Sequence, residues 1–184
     1  MEQSIYLLPG RGGRLDKGLG EALTGRGWKV YGRELEGEFQ RLRFDHQAET
    51  IAGDLRTHFW HENARVVANS FGAYLFLHAQ ALLPPFPGRV LLLSPIVGEV
   101  SQAERMLYFV PPRVGQLQEL IGQGAYPTPV RCEIHVGEYD WQSVPANVQE
   151  IGRPLGWQVS IVPEAGHQLP KAYVGAVLNE WFGG

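Results

Sequence analysis

The stretch Arg65-Val66-Val67-Ala68-Asn69-Ser70-Phe71-Gly72-Ala73 decides the fold of this chain. A short β-branched run passes straight into an almost wholly apolar helical stretch, 71–83, which Pro84-Pro85 ends. With no loop between strand and helix, Ser70 falls on a sharp turn, where strained backbone angles are expected. The residues two before and two after such a serine must be small, and here they are Ala68 and Gly72. Ala68 departs from the usual Gly-x-Ser-x-Gly pattern but meets the same steric requirement. A serine that merely caps a helix is the plain alternative. A nucleophile on a strand-to-helix elbow is the reading that the flanking strand and helix favour.

Outward from that elbow, short β-rich runs alternate with longer amphipathic stretches. This is the pattern of a parallel sheet joined by crossover helices. Strands are expected at 5–8, 28–31, 65–69, 90–94, 131–136 and 158–162. The runs at 65–68 and 90–93 are near-continuously apolar, as central strands covered on both faces should be. Helices are expected at 15–26, 47–61, 71–83, 144–153 and 170–182. Segment 97–129 fits least well and is expected to form one or two short helices over the strand ends. No internal repeat or linker is visible, so residues 1–184 are read as one domain.

A serine hydroxyl is a poor nucleophile near neutral pH and needs a base oriented by a carboxylate. Two later strands end in suitable residues. Gly137-Glu138-Tyr139-Asp140 follows one, and Pro163-Glu164-Ala165-Gly166-His167 follows the next. Parallel strands end on one edge, so Asp140 and His167 are expected to meet Ser70 there. Glu138 and Glu164 compete with Asp140 for the acid role. The amide of Phe71, at a helix N-terminus, is expected to stabilise an oxyanion. Leu8-Pro9-Gly10-Arg11-Gly12-Gly13, after the first strand, offers a second donor. The Arg11 amide is favoured there, with Gly12 next, and the Arg11 side chain faces either solvent or a substrate anion. Asn69, Ser94, Ile96, Met106, Tyr108, Phe109 and Trp141 are candidate pocket residues.

Other chemistries find little support. The loop at 8–13 lacks the P-loop pattern and the third glycine of a dinucleotide fingerprint. His58 and His61 stand three apart, but no third ligand is near in sequence, so no metal is expected. The formal net charge of −3 gives no reason to expect nucleic acid or an anionic membrane. Cys132 is the only cysteine and excludes an intramolecular disulfide. No apolar stretch is long enough to span a bilayer, and the first residues lack a signal-peptide pattern. A cytoplasmic address is expected.

Taken together, Leu-Pro-Gly-Arg-Gly-Gly at 8–13, Ala-Asn-Ser-Phe-Gly at 68–72, Gly-Glu-Tyr-Asp at 137–140 and Gly-His at 166–167 resemble the α/β-hydrolase superfamily. The chain is similar to its small, nearly lidless serine hydrolases, those related to retinoblastoma-binding protein 9 and the YdeN- and YqiA-type esterases. The resemblance implies a three-layer α/β-hydrolase fold of about six mostly parallel strands, in local order 2-1-3-4-5-6, with a minimal cap. It also implies a Ser70–Asp140–His167 triad without cofactor or metal, acting on a small-molecule acyl substrate. Pro9-Gly10 in place of His-Gly, and Ala68 in place of Gly, depart from the commoner pattern. An ester is the favoured substrate, with thioesters, amides or a non-catalytic binding role as rivals.

Overall fold

The computed structural model describes residues 3–183. Six strands form one sheet in the order β2-β1-β3-β4-β7-β8. They are β1 (Ser4–Leu8), β2 (Lys29–Gly32), β3 (Arg65–Asn69), β4 (Arg89–Leu93), β7 (Arg131–Gly137) and β8 (Gln158–Val162). Every neighbouring pair is parallel, so all six strands end on the same edge. The expected order 2-1-3-4-5-6 holds, with a small hairpin inserted between the fourth and fifth sheet strands.

The period-2 alternation of strands divides the core in two. Tyr6, Leu8, Val66, Ala68, Val90, Leu92, Ile134 and Val136 face one side. There they pack on α3 (Phe44–His58), α4 (Phe71–Gln80) and α6 (Pro145–Gly152). Ile5, Leu7, Val67, Leu91 and Leu93 face the other side and meet α1 (Leu19–Thr24) and α7 (Lys171–Gly183). Every residue of α4 is buried, which accounts for its lack of a polar stripe.

Several elements differ from expectation. The first helix begins at Leu19 rather than 15, because the Leu15 amide donates to the Glu34 carboxylate and draws residues 15–18 into a turn. A short helix, α2 (Gly37–Arg41), was not anticipated. Helix α3 ends at His58, so His61 lies in the following turn and the two histidines share no helix face. Segment 97–129 contains one helix, α5 (Val114–Gly122), but also an antiparallel hairpin of β5 (Val100–Gln102) and β6 (Leu107–Phe109). That hairpin turns through a 3-10 turn at Ala103–Arg105 and Met106, whose φ is 48°. A methionine in left-handed backbone carries none of the Asn-Gly or Asp-Gly signal by which hairpins are recognised in sequence. Among the described residues no helix is long and apolar enough to cross a membrane.

One buried base tests the packing of α4. His78 is wedged against the rings of Phe44, at 4.8 Å, and Tyr74, at 4.6 Å, and among the described residues its Nε2 has no hydrogen-bond partner. Burial pushes its pKa down from 6.5 to about 4, with Asp45 opposing the shift and Arg113 adding to it. The folded protein therefore binds this proton less readily than the unfolded chain. Its contribution to stability is full above pH 6.5 and is lost as pH falls through about 4. Urea denaturation of wild type is expected to lose up to about 3 kcal/mol across that window from this group. His78→Phe should flatten that part of the profile; an unchanged profile would place the proton uptake elsewhere.

Candidate active site

Ser70 sits between β3 and α4 with φ 52° and ψ −121°, a conformation that costs a non-glycine residue energy and is held by its surroundings. Its amide donates to the Leu93 carbonyl of β4 at 2.8 Å, and its carbonyl accepts from Tyr74 N as the helix begins. Gly72 explains how the elbow fits. A Cβ built there would stand 2.2 Å from the Pro9 carbonyl oxygen and 2.5 Å from that of Leu8. Ala68 is fully buried beneath the turn.

The sheet edge brings three distant side chains together. Ser70 Oγ lies 2.8 Å from His167 Nε2, and His167 Nδ1 lies 2.9 Å from both carboxylate oxygens of Asp140. Asp140 is buried, and its Oδ1 also accepts from the amides of Gln142, at 2.9 Å, and Ser143, at 2.7 Å. An acceptor-only carboxylate opposite Nδ1 places the ring proton there, which leaves Nε2 free to accept from the serine hydroxyl. The loops after β7 and β8 approach closely enough that a Cβ on Gly137 would lie 2.3 Å from the Gly166 carbonyl oxygen. Glu138, exposed on the same turn, accepts from the Glu164 amide instead. Glu164 is likewise exposed, so of the three acids only Asp140 bonds the histidine.

The loop after β1 passes directly over the serine. A Cβ on Gly10 would lie 3.3 Å from Ser70 Cβ and 3.7 Å from Ser70 Oγ. Among the described residues neither the Arg11 nor the Phe71 amide is engaged by a hydrogen bond. Gly12 is a correction. Its amide donates to the Leu35 carbonyl at 2.8 Å and is not available to an oxyanion.

A cleft of about 780 Å³ opens at the site, lined by Ser70, His167, Asn69 and Ile96 among others. A smaller pocket of about 170 Å³ adjoins it and is walled by Phe71, Ile96, Phe109 and Trp141. The other three pocket candidates lie elsewhere. Ser94 is fully buried at the end of β4, with its backbone at φ 45°. Met106 is 94% exposed at the hairpin tip, and Tyr108 is 66% exposed with its hydroxyl on Glu99. In a hairpin, alternate residues face opposite sides, so Phe109 turns inward and Tyr108 outward. Sequence reading missed the contribution of α7, whose Val174 and Leu178 line the cleft, and that of Gln142. No local motif marks residues that reach a site only through packing of the last helix.

The parallel sheet, the elbow serine and the edge on which the strands end define an α/β-hydrolase fold. Solved structures share it. The ydeN gene product of B. subtilis matches with TM-score 0.66 at 14% identity, over 99% of this chain and 100% of that one. A YdeN-like protein of Pectobacterium atrosepticum matches with TM-score 0.63 at 19% identity, over 97% and 90%. A monoacylglycerol lipase of Paleococcus ferrophilus matches with TM-score 0.65 at 13% identity, over 97% and 93%. No family model matches the chain, and neither does any curated protein.

Proposed function

We propose that this chain is a serine hydrolase that cleaves a small ester through an acyl-enzyme on Ser70. The observation that carries the reading is the continuous Ser70–His167–Asp140 hydrogen-bond chain, with links of 2.8 and 2.9 Å. As Ser70 Oγ attacks the substrate carbonyl, His167 Nε2 takes the hydroxyl proton, and the Phe71 and Arg11 amides hold the oxyanion. The intermediate collapses as His167 passes that proton to the leaving alcohol, leaving the acyl group on Ser70. Water then attacks with the same base, releasing the carboxylic acid and restoring the serine. Asp140 holds the ring in the tautomer both steps need and stabilises the imidazolium. The neighbouring fold includes a monoacylglycerol lipase, which is consistent with ester chemistry. A short acyl group is favoured, because the pocket beside the oxyanion loop measures about 170 Å³.

A fluorophosphonate probe tests the reading, since it labels only an activated serine. Wild type is expected to be labelled on one site and Ser70→Ala not at all. Absence of wild-type labelling, or equal labelling of the variant, would overturn it. Given labelling, turnover of alkyl esters in preference to matched thioesters and amides is the expected order.

A further inference from the structure

Arg11 has two parts with separate prospects. Its amide belongs to the loop after β1, while its guanidinium carbon lies over the Phe71 ring, 4.2 Å from its centre, and 5.6 Å from that of Phe109. Arg14, Arg33, Arg89 and Arg113 each pair with a carboxylate. Arg11 makes no ion pair among the described residues, and the rings hold it at the border of both the large cleft and the small pocket. Among the described residues the large cleft has one carboxylate in its lining, Glu21, and the small pocket has none. A guanidinium held over aromatic rings by cation–π attraction, with no carboxylate partner of its own, keeps N–H groups available for bidentate bonding to a carboxylate.

The triad decides which end of the substrate meets it. The leaving group must lie within reach of His167, and His167, Gln168 and Leu169 line the large cleft but not the small pocket. The acyl group therefore extends the other way, past Phe71 into the pocket of about 170 Å³, a space slightly larger than one that accepts benzene. Its walls of Ile96, Val100, Leu107 and Phe109 suit a few methylenes, and its cationic member is Arg11. We infer that the acyl group this site is built for ends in a carboxylate: the substrate class is the half-ester of a short dicarboxylic acid, with Arg11 as the specificity-determining side chain. This rests on the catalytic reading of Ser70.

The test compares three esters cleaved by the same purified protein: monoethyl glutarate, ethyl valerate, and the butyryl ester of glycolate, which carries its anion on the leaving group. The expected result is a kcat/KM for the half-ester about 10- to 100-fold above that for ethyl valerate, the range of a charge-assisted hydrogen bond. Added salt should shrink that ratio, because the guanidinium is exposed. Arg11→Met should bring the half-ester to neutral-ester ratio close to one, and Arg11→Lys should retain part of it. A wild-type ratio near one, with ethyl valerate cleaved and Ser70 labelled, overturns the inference while leaving the catalytic reading standing. A preference confined to the glycolate ester overturns the assignment to the acyl side. A protein that neither labels nor cleaves any of the three overturns the catalytic reading, and this inference with it.

Discussion

Asp140→Asn is expected to lower kcat/KM on an alkyl ester by about four orders of magnitude, with little change in stability. The side chain is buried and accepts two backbone hydrogen bonds, from Gln142 and Ser143, through Oδ1. Asparagine keeps a carbonyl oxygen for those amides, so the turn after β7 should hold. Its NH₂ group then faces His167 Nδ1, where the wild type offers a carboxylate oxygen at 2.9 Å. The ring must turn its own proton to Nε2, and a protonated Nε2 cannot accept from the Ser70 hydroxyl 2.8 Å away. Steady-state kinetics and the rate of fluorophosphonate labelling should fall together, while the urea midpoint moves little. A loss under tenfold would shift the acid role to another carboxylate.

The second large effect is expected at Gly72. Alanine there places a Cβ 2.2 Å from the Pro9 carbonyl oxygen and 2.5 Å from that of Leu8, and both are backbone atoms with nowhere to retreat. Relief requires the start of α4 to move off the end of β1, which parts the Phe71 amide from the Arg11 amide. Gly72→Ala should cost about 3 kcal/mol in urea denaturation, at the upper end of overpacking effects. Labelling of Ser70 should be lost even where the variant is still folded. A variant of wild-type stability and labelling would show that elbow and oxyanion loop are not packed as described.

Much of this architecture is legible in the sequence, for reasons that differ by element. Strands β3 and β4 are read from unbroken apolar runs, because a central strand covered on both faces has no reason to alternate. The elbow is read from the absence of a loop before Ser70 and from the small residues around it. Asp140 and His167 are read from their places after parallel strands, since such strands must deliver their ends to one edge. The hairpin of β5 and β6 was not legible, because its turn rests on Met106 in a conformation that no residue preference announces. Helix α1 is shorter than local periodicity suggests, because the bond from the Leu15 amide to Glu34 spans 19 residues and leaves no trace in that periodicity.

The elbow at Ser70 marks the division. Local pattern by itself determined the alternation of strand and helix, the two apolar faces of the sheet, and which serine stands at the turn, since each depends on neighbours along the chain. Only the tertiary structure decided which of three carboxylates faces His167. It alone removed the Gly12 amide by pairing it with Leu35, and laid the Arg11 guanidinium across Phe71 and Phe109. Those outcomes turn on the direction of a side chain or amide within a few ångströms. Contacts between residues far apart in sequence set that direction, and composition and spacing do not encode it.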